Sequence, residues 1–283
     1  MTPHPELSPL GVFDSGVGGL SVLRAIRQQL PEEEILYFGD QGHIPYGPRS
    51  LQQVRYFAEG ITRFLLARDA KLIVVACNSA SAAALAYLRE TFPQIAFVGM
   101  EPAVKPAAEQ TRTGVVGVLA TPATFQGALF ASVVERFAAG VELLKDTCPG
   151  LVQRIEAGDL EGPATIRILE TALRPMLGRG IDTVVLACTH YPFVINLIQE
   201  IVGDKVRVID PAPAIARQVG RTLDLGGLRH PPDKPGEMQF FTSAEQASSL
   251  QMLLQKLLGE TGQVRTLRWA DDRVLREPLL SGD

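Results

Sequence analysis

Short apolar runs alternate along the first hundred residues with longer segments of mixed polarity. The runs Leu10–Phe13, Ile35–Phe38, Leu72–Ala76 and Ile95–Val98 predict four strands. The longer segments, such as Leu51–Arg68, carry apolar residues at three- and four-residue spacing, which predicts helices. This alternation is typical of parallel sheets covered by helices.

The same alternation begins again in the second hundred residues. Because strands and helices alternate throughout, the sequence predicts the α/β class. The predicted elements of this part are strands at Val115–Leu119, Thr183–Ala187, Val206–Ile209 and Met238–Thr242, and helices at Pro163–Leu177 and Ala244–Leu258.

Two segments of the chain match each other without a gap. Residues 72–78 read LIVVACN and residues 183–189 read TVVLACT, so Cys77 and Cys188 each follow a predicted strand. Each cysteine also lies just over sixty residues after a strand turn that carries a hydroxyl, Ser15 or Thr121. We interpret the match as an internal duplication. It predicts two similar, pseudo-symmetric α/β domains with mostly parallel sheets and an active site in the cleft between them.

Composition narrows the function classes. The 283 residues carry a formal charge of −4, with no basic stripe, so we expect no nucleic-acid partner. No apolar run approaches the ~20 residues of a membrane span, and the first residues do not resemble a signal peptide. Three widely spaced cysteines fit reduced thiols. We therefore expect a cytoplasmic protein with no membrane partner.

Cys77 and Cys188 are the strongest candidates for chemistry. Each is predicted to precede a helix, whose free N–H groups lower the pKa of a thiol. One cysteine alone is more often a packing residue, but a matched pair favours function. Two opposed thiols suit the inversion of a stereocentre, because one removes the α-proton while the other delivers a proton to the opposite face. Cys148 lacks this context and is predicted to be structural.

Other candidate residues lie at the same predicted strand ends. Asp14 is placed to hold a substrate ammonium or to assist a neighbouring thiol, and His190 to share a proton with Cys188. Asn78, Ser79 and Thr189 offer donors for a carboxylate, although the same residue types also cap helices. No cysteine–histidine cluster has metal-ligand spacing, no dinucleotide fingerprint is complete and no lysine marks a Schiff base. We therefore predict no metal and no cofactor.

Four motifs in order carry a family resemblance. They are GVFDSGVGGL at 11–20, PYG at 45–47, VACNSA at 75–80 and LACTHYP at 186–192. Together they make the chain similar to glutamate racemases of the aspartate/glutamate racemase superfamily, from Gly11 to about Leu258. Ser79 stands where the family more often has threonine, and Gln41–His43 differs from the family's usual residues.

The resemblance implies cofactor-free interconversion of L- and D-glutamate, which supplies D-glutamate for peptidoglycan. By position, Cys77 would deprotonate D-glutamate and Cys188 L-glutamate, assisted by Asp14 and His190. The residues that the resemblance and the duplication assign to substrate contact are Asp14, Ser15, Pro45, Tyr46, Gly47, Asn78, Ser79, Thr121, Glu156, Thr189 and His190. Glutamate would be the small-molecule partner, and a homodimer is expected.

The resemblance also implies domain limits. The first domain would comprise residues 1–99 and be completed by the C-terminal segment 211–283, and the second would comprise residues 100–210.

Three alternatives remain open from the sequence. A superfamily member acting on aspartate, a hydantoin or a substituted malonate would need the same paired cysteines. A non-catalytic protein that binds an amino acid to regulate a partner would keep the cleft. A hydrolase built on Cys188 and His190 would leave Cys77 without a role.

Overall fold

The strands of the computed structural model, which describes residues 4–232, 234–271 and 274–276, agree with most of the predicted runs. They are β1 Leu10–Asp14, β2 Ile35–Gly39, β3 Leu72–Val75, β4 Ala96–Gly99, β5 Val115–Ala120, β6 Glu142–Asp146, β7 Thr183–Ala187, β8 Arg207–Ile209, β9 Met238–Thr242, β10 Val264–Thr266, β11 Arg268–Asp271 and β12 Val274–Arg276.

Two parallel sheets share one strand order. The second sheet runs β6-β5-β7-β8, and the first runs β10-β9-β2-β1-β3-β4, so its central part repeats the order of the second. All neighbouring strands in both sheets are parallel. We call β1–β4 the first repeat and β5–β8 the second repeat. The predicted fold class, two similar α/β units with parallel sheets, is confirmed.

Helices connect these strands, as parallel pairing requires. They are α1 Leu20–Gln29, α2 Leu51–Leu66, α3 Asn78–Thr91, α4 Val104–Gln110, α5 Pro122–Gln126, α6 Ala128–Phe137, α7 Leu151–Glu156, α8 Pro163–Gly178, α9 Ile195–Val202, α10 Ala212–Gly226 and α11 Ser248–Leu258. The last begins at Ser248, four residues later than the predicted start at Ala244.

The prediction that both cysteines precede a helix is right for one of them. Cys77 is the N-cap of α3. Cys188 is followed instead by a turn and a 3-10 segment at Tyr191–Val194, and α9 begins only at Ile195. Pro192 disfavours an α-helix that starts at Thr189, because proline lacks the N–H that such a helix needs at its fourth residue.

The central strands are apolar on both faces because both faces are covered. Val12 in β1 and Leu186 in β7 belong to one hydrophobic cluster that extends across both repeats. Their neighbours on the opposite faces, Phe13 and Val185, belong to separate clusters in the first and second repeat. Burying each such side chain contributes about 1.5–3 kcal/mol, so the shared cluster holds the two sheets together.

The C-terminal part of the chain returns to the first sheet. β9 pairs with β2 over its whole length, from Ile35 beside Met238 to Gly39 beside Thr242. The domain limits stay a prediction, and the ends of the predicted first domain, residues 1–3 and 277–283, lie outside the described residues. In the described part of the chain, no helix combines the length and apolar character of a membrane span.

Candidate active site

The repeat brings the predicted residues to corresponding strand ends. Phe13 lies beside Val75 in the first sheet, and Leu119 lies beside Leu186 in the second. Two residues further along each of these strands come the equivalent pairs of the site. These pairs are Ser15 with Thr121 and Cys77 with Cys188. Both thiols are therefore at the carboxyl ends of parallel strands, where ligands of α/β sheets bind.

The sulfur of Cys77 is held at the start of α3. The Ala80 N–H donates to Cys77 Sγ at 3.5 Å, and the thiol in turn donates to Ser15 Oγ at 3.7 Å. Burial, reinforced by the negative charge of Asp14, raises the pKa of the Cys77 thiol despite these hydrogen bonds. The helix N–H group of Ala80 lowers this pKa as predicted, but the net shift is upward because desolvation disfavours a thiolate more than the N–H group favours it.

Cys188 faces a histidine instead. Its Sγ lies 3.8 Å from His190 Nδ1, and His190 Nε2 lies 2.6 Å from Glu156 Oε1. Burial lowers the pKa of His190, but the hydrogen bonds and charges of Cys188 and Glu156 outweigh burial and raise it well above its ordinary value. The raised pKa favours the doubly protonated imidazole, which suits an acid beside Cys188.

Asp14 lies behind the wall of the site. Its carboxylate is fully buried and accepts hydrogen bonds from the Gly16 N–H at 2.7 Å and the Thr189 hydroxyl at 3.1 Å. Burial raises the pKa of Asp14, although the charge of His190 opposes that shift. The geometry fits a residue that orders the glycine turn and Thr189, and that acts on Cys77 through its charge.

Two glycines allow the first repeat to approach the second. A Cβ on Gly18 would lie 2.4 Å from His190 Nδ1 and 2.6 Å from Thr189 Oγ1. A Cβ on Gly16 would lie 2.1 Å from Glu156 Oε1. Any side chain at these positions would displace the histidine or its carboxylate partner, so the glycine-rich motif is a close-contact surface.

A cavity of about 290 Å³ lies between the first repeat, which carries Cys77, and the second repeat, which carries Cys188. Two residues that the sequence assigned to the site, Asp14 and Glu156, do not line the cavity. They hydrogen-bond to residues that do, Asp14 to Thr189 and Glu156 to His190. The predicted residues that line it are Ser15, Pro45, Tyr46, Gly47, Cys77, Asn78, Ser79, Thr121, Cys188, Thr189 and His190.

The polar side chains of this lining differ in their partners. Ser79 Oγ lies 2.9 Å from Thr121 Oγ1, which joins the two repeats across the cavity. The amide of Asn78 is buried, and neither its nitrogen nor its oxygen has a hydrogen-bond partner. An unpartnered buried amide is costly, so it indicates a ligand that supplies both an acceptor and a donor.

Tyr46 is oriented by a buried carboxylate. Its hydroxyl donates to Asp40 Oδ2 at 2.5 Å, which fixes the direction of the phenol O–H bond. Asp40 Oδ1 accepts from Ser243 Oγ at 2.5 Å and from the Trp269 indole N–H at 2.9 Å. The C-terminal strands therefore help to position the loop at 44–48 that forms one wall of the site.

One wall of the cavity was missed by sequence analysis. The residues after β6 bring Thr147, Cys148, Pro149 and Gly150 to the lining, with Val152 and Gln153 of α7 behind them. Cys148 has a φ of 44°, a left-handed conformation that is uncommon for a residue with a side chain and clusters at functional sites. The third cysteine thus lies in the cavity wall. The repeat carried a signal for this wall, because the loop after β6 is equivalent to the Tyr46 loop after β2.

Comparison with known proteins assigns the chain to one family. The family model for Asp/Glu/hydantoin racemases matches residues 10–219. The chain is 51% identical to a glutamate racemase of Ectopseudomonas mendocina over 257 residues, which cover 91% of this chain and 97% of the relative. The chain therefore belongs to the Asp/Glu/hydantoin racemase family, and the predicted enzyme class, an amino-acid racemase, is confirmed.

Solved structures agree. The chain resembles a glutamate racemase of Francisella tularensis in complex with D-glutamate, with a TM-score of 0.80, 28% identity and coverage of 94% of this chain and 98% of that one. It also resembles an Escherichia coli glutamate racemase in complex with L-glutamate and the activator UDP-MurNAc-ala. There the TM-score is 0.78 and the identity 33%, over 92% of this chain and 98% of that one.

Proposed function

We propose that the chain interconverts L- and D-glutamate without a cofactor, by proton transfer between the substrate's α-carbon and the thiols of Cys77 and Cys188. We further propose that it works in the cytoplasm as a homodimer and supplies D-glutamate for peptidoglycan. The observation that carries the proposal is the placement of two thiols at equivalent strand ends around one cavity.

The proposed reaction needs one thiolate and one thiol. The Cys77 thiolate takes the α-proton of D-glutamate, and the electron pair left on Cα is protonated from the opposite face by the Cys188 thiol. In the reverse direction Cys188 is the base and Cys77 the acid. Each turnover leaves the thiol and thiolate exchanged, so both must reprotonate or deprotonate through neighbouring groups before the same reaction repeats.

Substrate binding helps to form the base. Burial disfavours the Cys77 thiolate in the empty cavity. The substrate's ammonium brings a positive charge into the same space, and an adjacent opposite charge favours the ionised thiol. The racemase therefore generates its thiolate mainly when an amino acid is bound.

Neutral donors are placed to hold the carboxylates. The described lining of the cavity contains no lysine or arginine. Asn78 offers an unpartnered amide, while Ser79, Thr121 and Thr189 offer hydroxyls. Relatives of the same fold bind D-glutamate and L-glutamate, which supports glutamate as the substrate here.

Deuterium exchange tests this proposal. We expect D-glutamate in D2O, with the purified protein and no added cofactor, to lose its Cα proton signal while optical rotation falls to zero. L-Glutamate should behave alike. Absence of exchange would favour a binding protein, and faster racemisation of aspartate than of glutamate would overturn the named substrate. Sedimentation of the same sample tests the homodimer.

A further inference from the structure

We infer that Gln41 is a positioning residue for the acid beside Cys188, because it holds Glu156 across the cleft against His190. No motif of the sequence marks this glutamine as functional, and the Gln41–His43 turn departs from the family's usual residues. The inference deepens the proposed racemase function and rests on it for the activity tests.

The amide of Gln41 is fixed at both ends. Gln41 begins the 3-10 turn that follows β2, and its Nε2 donates to Glu156 Oε2 at 3.1 Å. Its Oε1 accepts from the hydroxyl of Thr242 at the end of β9, also at 3.1 Å. A carboxylate oxygen only accepts, so the NH2 end of the amide faces Glu156 and its oxygen is left to accept from the threonine hydroxyl.

Glu156 in turn has both oxygens engaged. Oε1 accepts from the Val17 N–H at 2.8 Å and lies 2.6 Å from His190 Nε2, and Oε2 receives the Gln41 amide. Without Gln41 the second oxygen would lose the hydrogen bond that fixes the plane of the carboxylate. A carboxylate held on both oxygens keeps one of them directed at the imidazole, which is how an outer residue orients an acid.

The groups that face the imidazole define what Gln41 affects. They are Cys188 and Glu156, which hydrogen-bond to His190, and Asp14, whose charge also acts on it. Of these, Glu156 is the group that Gln41 contacts. Loosening this carboxylate weakens the support for a doubly protonated imidazole, so the pKa of His190 should fall.

The first test is a histidine titration by NMR on the ligand-free protein. The chain has four histidines, and the signal absent from His190→Ser identifies His190. We expect His190 to titrate at lower pH in Gln41→Leu than in the parent. Gln199→Leu is the matched control, since Gln199 is partly buried and donates to the carbonyls of Gly203 and Val206, away from the cavity. An unchanged His190 titration in Gln41→Leu would overturn the inference.

The second test is kinetic. We expect kcat/KM for racemisation to fall about tenfold in Gln41→Leu, since losing one hydrogen bond to a charged group has this size. Enantiomers have equal free energies, so the two directions must lose the same factor. In Gln41→Glu the introduced carboxyl group lies beside that of Glu156, and the two should share a proton as the pH falls. The shared proton again gives Glu156 a hydrogen-bond donor. The activity of this variant relative to the parent should therefore rise toward acid pH.

These outcomes separate the inference from the proposed function. A parent that does not racemise glutamate contradicts the proposed function, and the ligand-free titration still decides the role of Gln41. An active parent with equal kcat/KM and an equal pH profile in Gln41→Leu contradicts the inference alone. If Gln41→Leu does not fold, the acid recovery of Gln41→Glu decides: a flat activity ratio across pH would refute the positioning role.

Discussion

The two repeats place identical thiols on equivalent backbones but surround them with different groups. The residue two places after Cys77 is Ser79, whereas the residue two places after Cys188 is His190. Asp14, which precedes Ser15 in the first repeat, corresponds to Ala120, which precedes Thr121 in the second. The comparison teaches that the fold sets where the two proton carriers lie, while the neighbouring side chains give each thiol different hydrogen-bond partners.

The charges of the two sides are correspondingly unequal. On the Cys77 side, burial raises the pKa of the thiol, and the anion behind the wall raises it further. On the Cys188 side, an imidazole paired with Glu156 stands beside the sulfur. The two thiols therefore lie beside different groups, Cys77 near a buried carboxylate and Cys188 beside an imidazole paired with Glu156.

The largest expected effect comes from removing either thiol. Cys77→Ser and Cys188→Ser should each lower net racemisation by about 10²–10⁴-fold, the usual contribution of a general acid or base. In D2O, Cys77→Ser should still exchange the α-proton of L-glutamate without inverting it, since Cys188 can remove and return a proton on one face. Cys188→Ser should do the same with D-glutamate only.

Proton NMR and chiral chromatography on the same samples measure exchange and inversion separately. Full racemisation by either variant would contradict the two-base reaction. Exchange of the opposite enantiomer would reverse the assignment of the two faces. Circular dichroism checks that each variant is folded.

The comparison extends to the opposite ends of the strands. Lys71 precedes β3, and its Nζ lies 2.7 Å from Glu33 Oε2, with both side chains at most 2% exposed. Lys71→Met would leave Glu33 buried without its cation, so we expect the free energy of unfolding to fall by about 3–5 kcal/mol. Urea denaturation measures this loss. A loss of unfolding free energy below about 1 kcal/mol would contradict this expectation, because it is the size typical of a solvent-exposed ion pair.

Replacing His190 by the residue of the first repeat tests the asymmetry itself. His190→Ser should reduce kcat/KM by about 10²-fold, because the acid beside Cys188 is lost. The raised pKa of His190 also stabilises the folded parent. That stabilisation is fully present below about pH 6.5 and is lost as the pH rises through the raised pKa. Denaturation of parent and variant across pH measures it, and a difference that grows with pH would contradict the assignment.

The smallest effect is expected at Asp182, the counterpart of Lys71 before β7. Its carboxylate accepts from the Arg112 and Thr113 N–H groups at 2.6 and 3.0 Å and from the Thr111 hydroxyl at 2.7 Å. Burial raises its pKa, but these hydrogen bonds outweigh burial and lower it. Asp182→Asn should cost about 1 kcal/mol at neutral pH, and this difference should vanish as the pH falls through the lowered pKa. A pH-independent difference in urea stability would show that the charge is irrelevant.

Most of the fold could be predicted because buried parallel strands leave a clear apolar pattern. Thr183–Ala187 and Met238–Thr242 have the predicted bounds. The strand β6 was missed because its sequence, ELLKD, is partly exposed at a sheet edge and lacks that pattern. The 3-10 segment after Cys188 was missed because the match with the first repeat suggested a helix, whereas Pro192 excludes one there.

The site was predictable where chemistry and spacing coincide. Cys77, Cys188 and His190 have residue types that mark proton transfer, and all three line the cavity. The burial of Asp14 behind the wall depends on long-range packing against Thr189, which no local pattern reports. Gln41 is a neutral residue whose function depends on a partner 115 positions away.

The return of β9 to the first sheet has a consequence for how the polypeptide is made. Strands β5–β8 are contiguous in the chain, so the second sheet can assemble as soon as it leaves the ribosome. The first sheet is different, because β9 pairs with β2 and some two hundred residues separate these two strands in the chain. Closing such a long loop is slow. Pulsed hydrogen exchange during refolding should therefore protect β5 and β7 before β9, and we expect activity to return only after β9 has paired with β2.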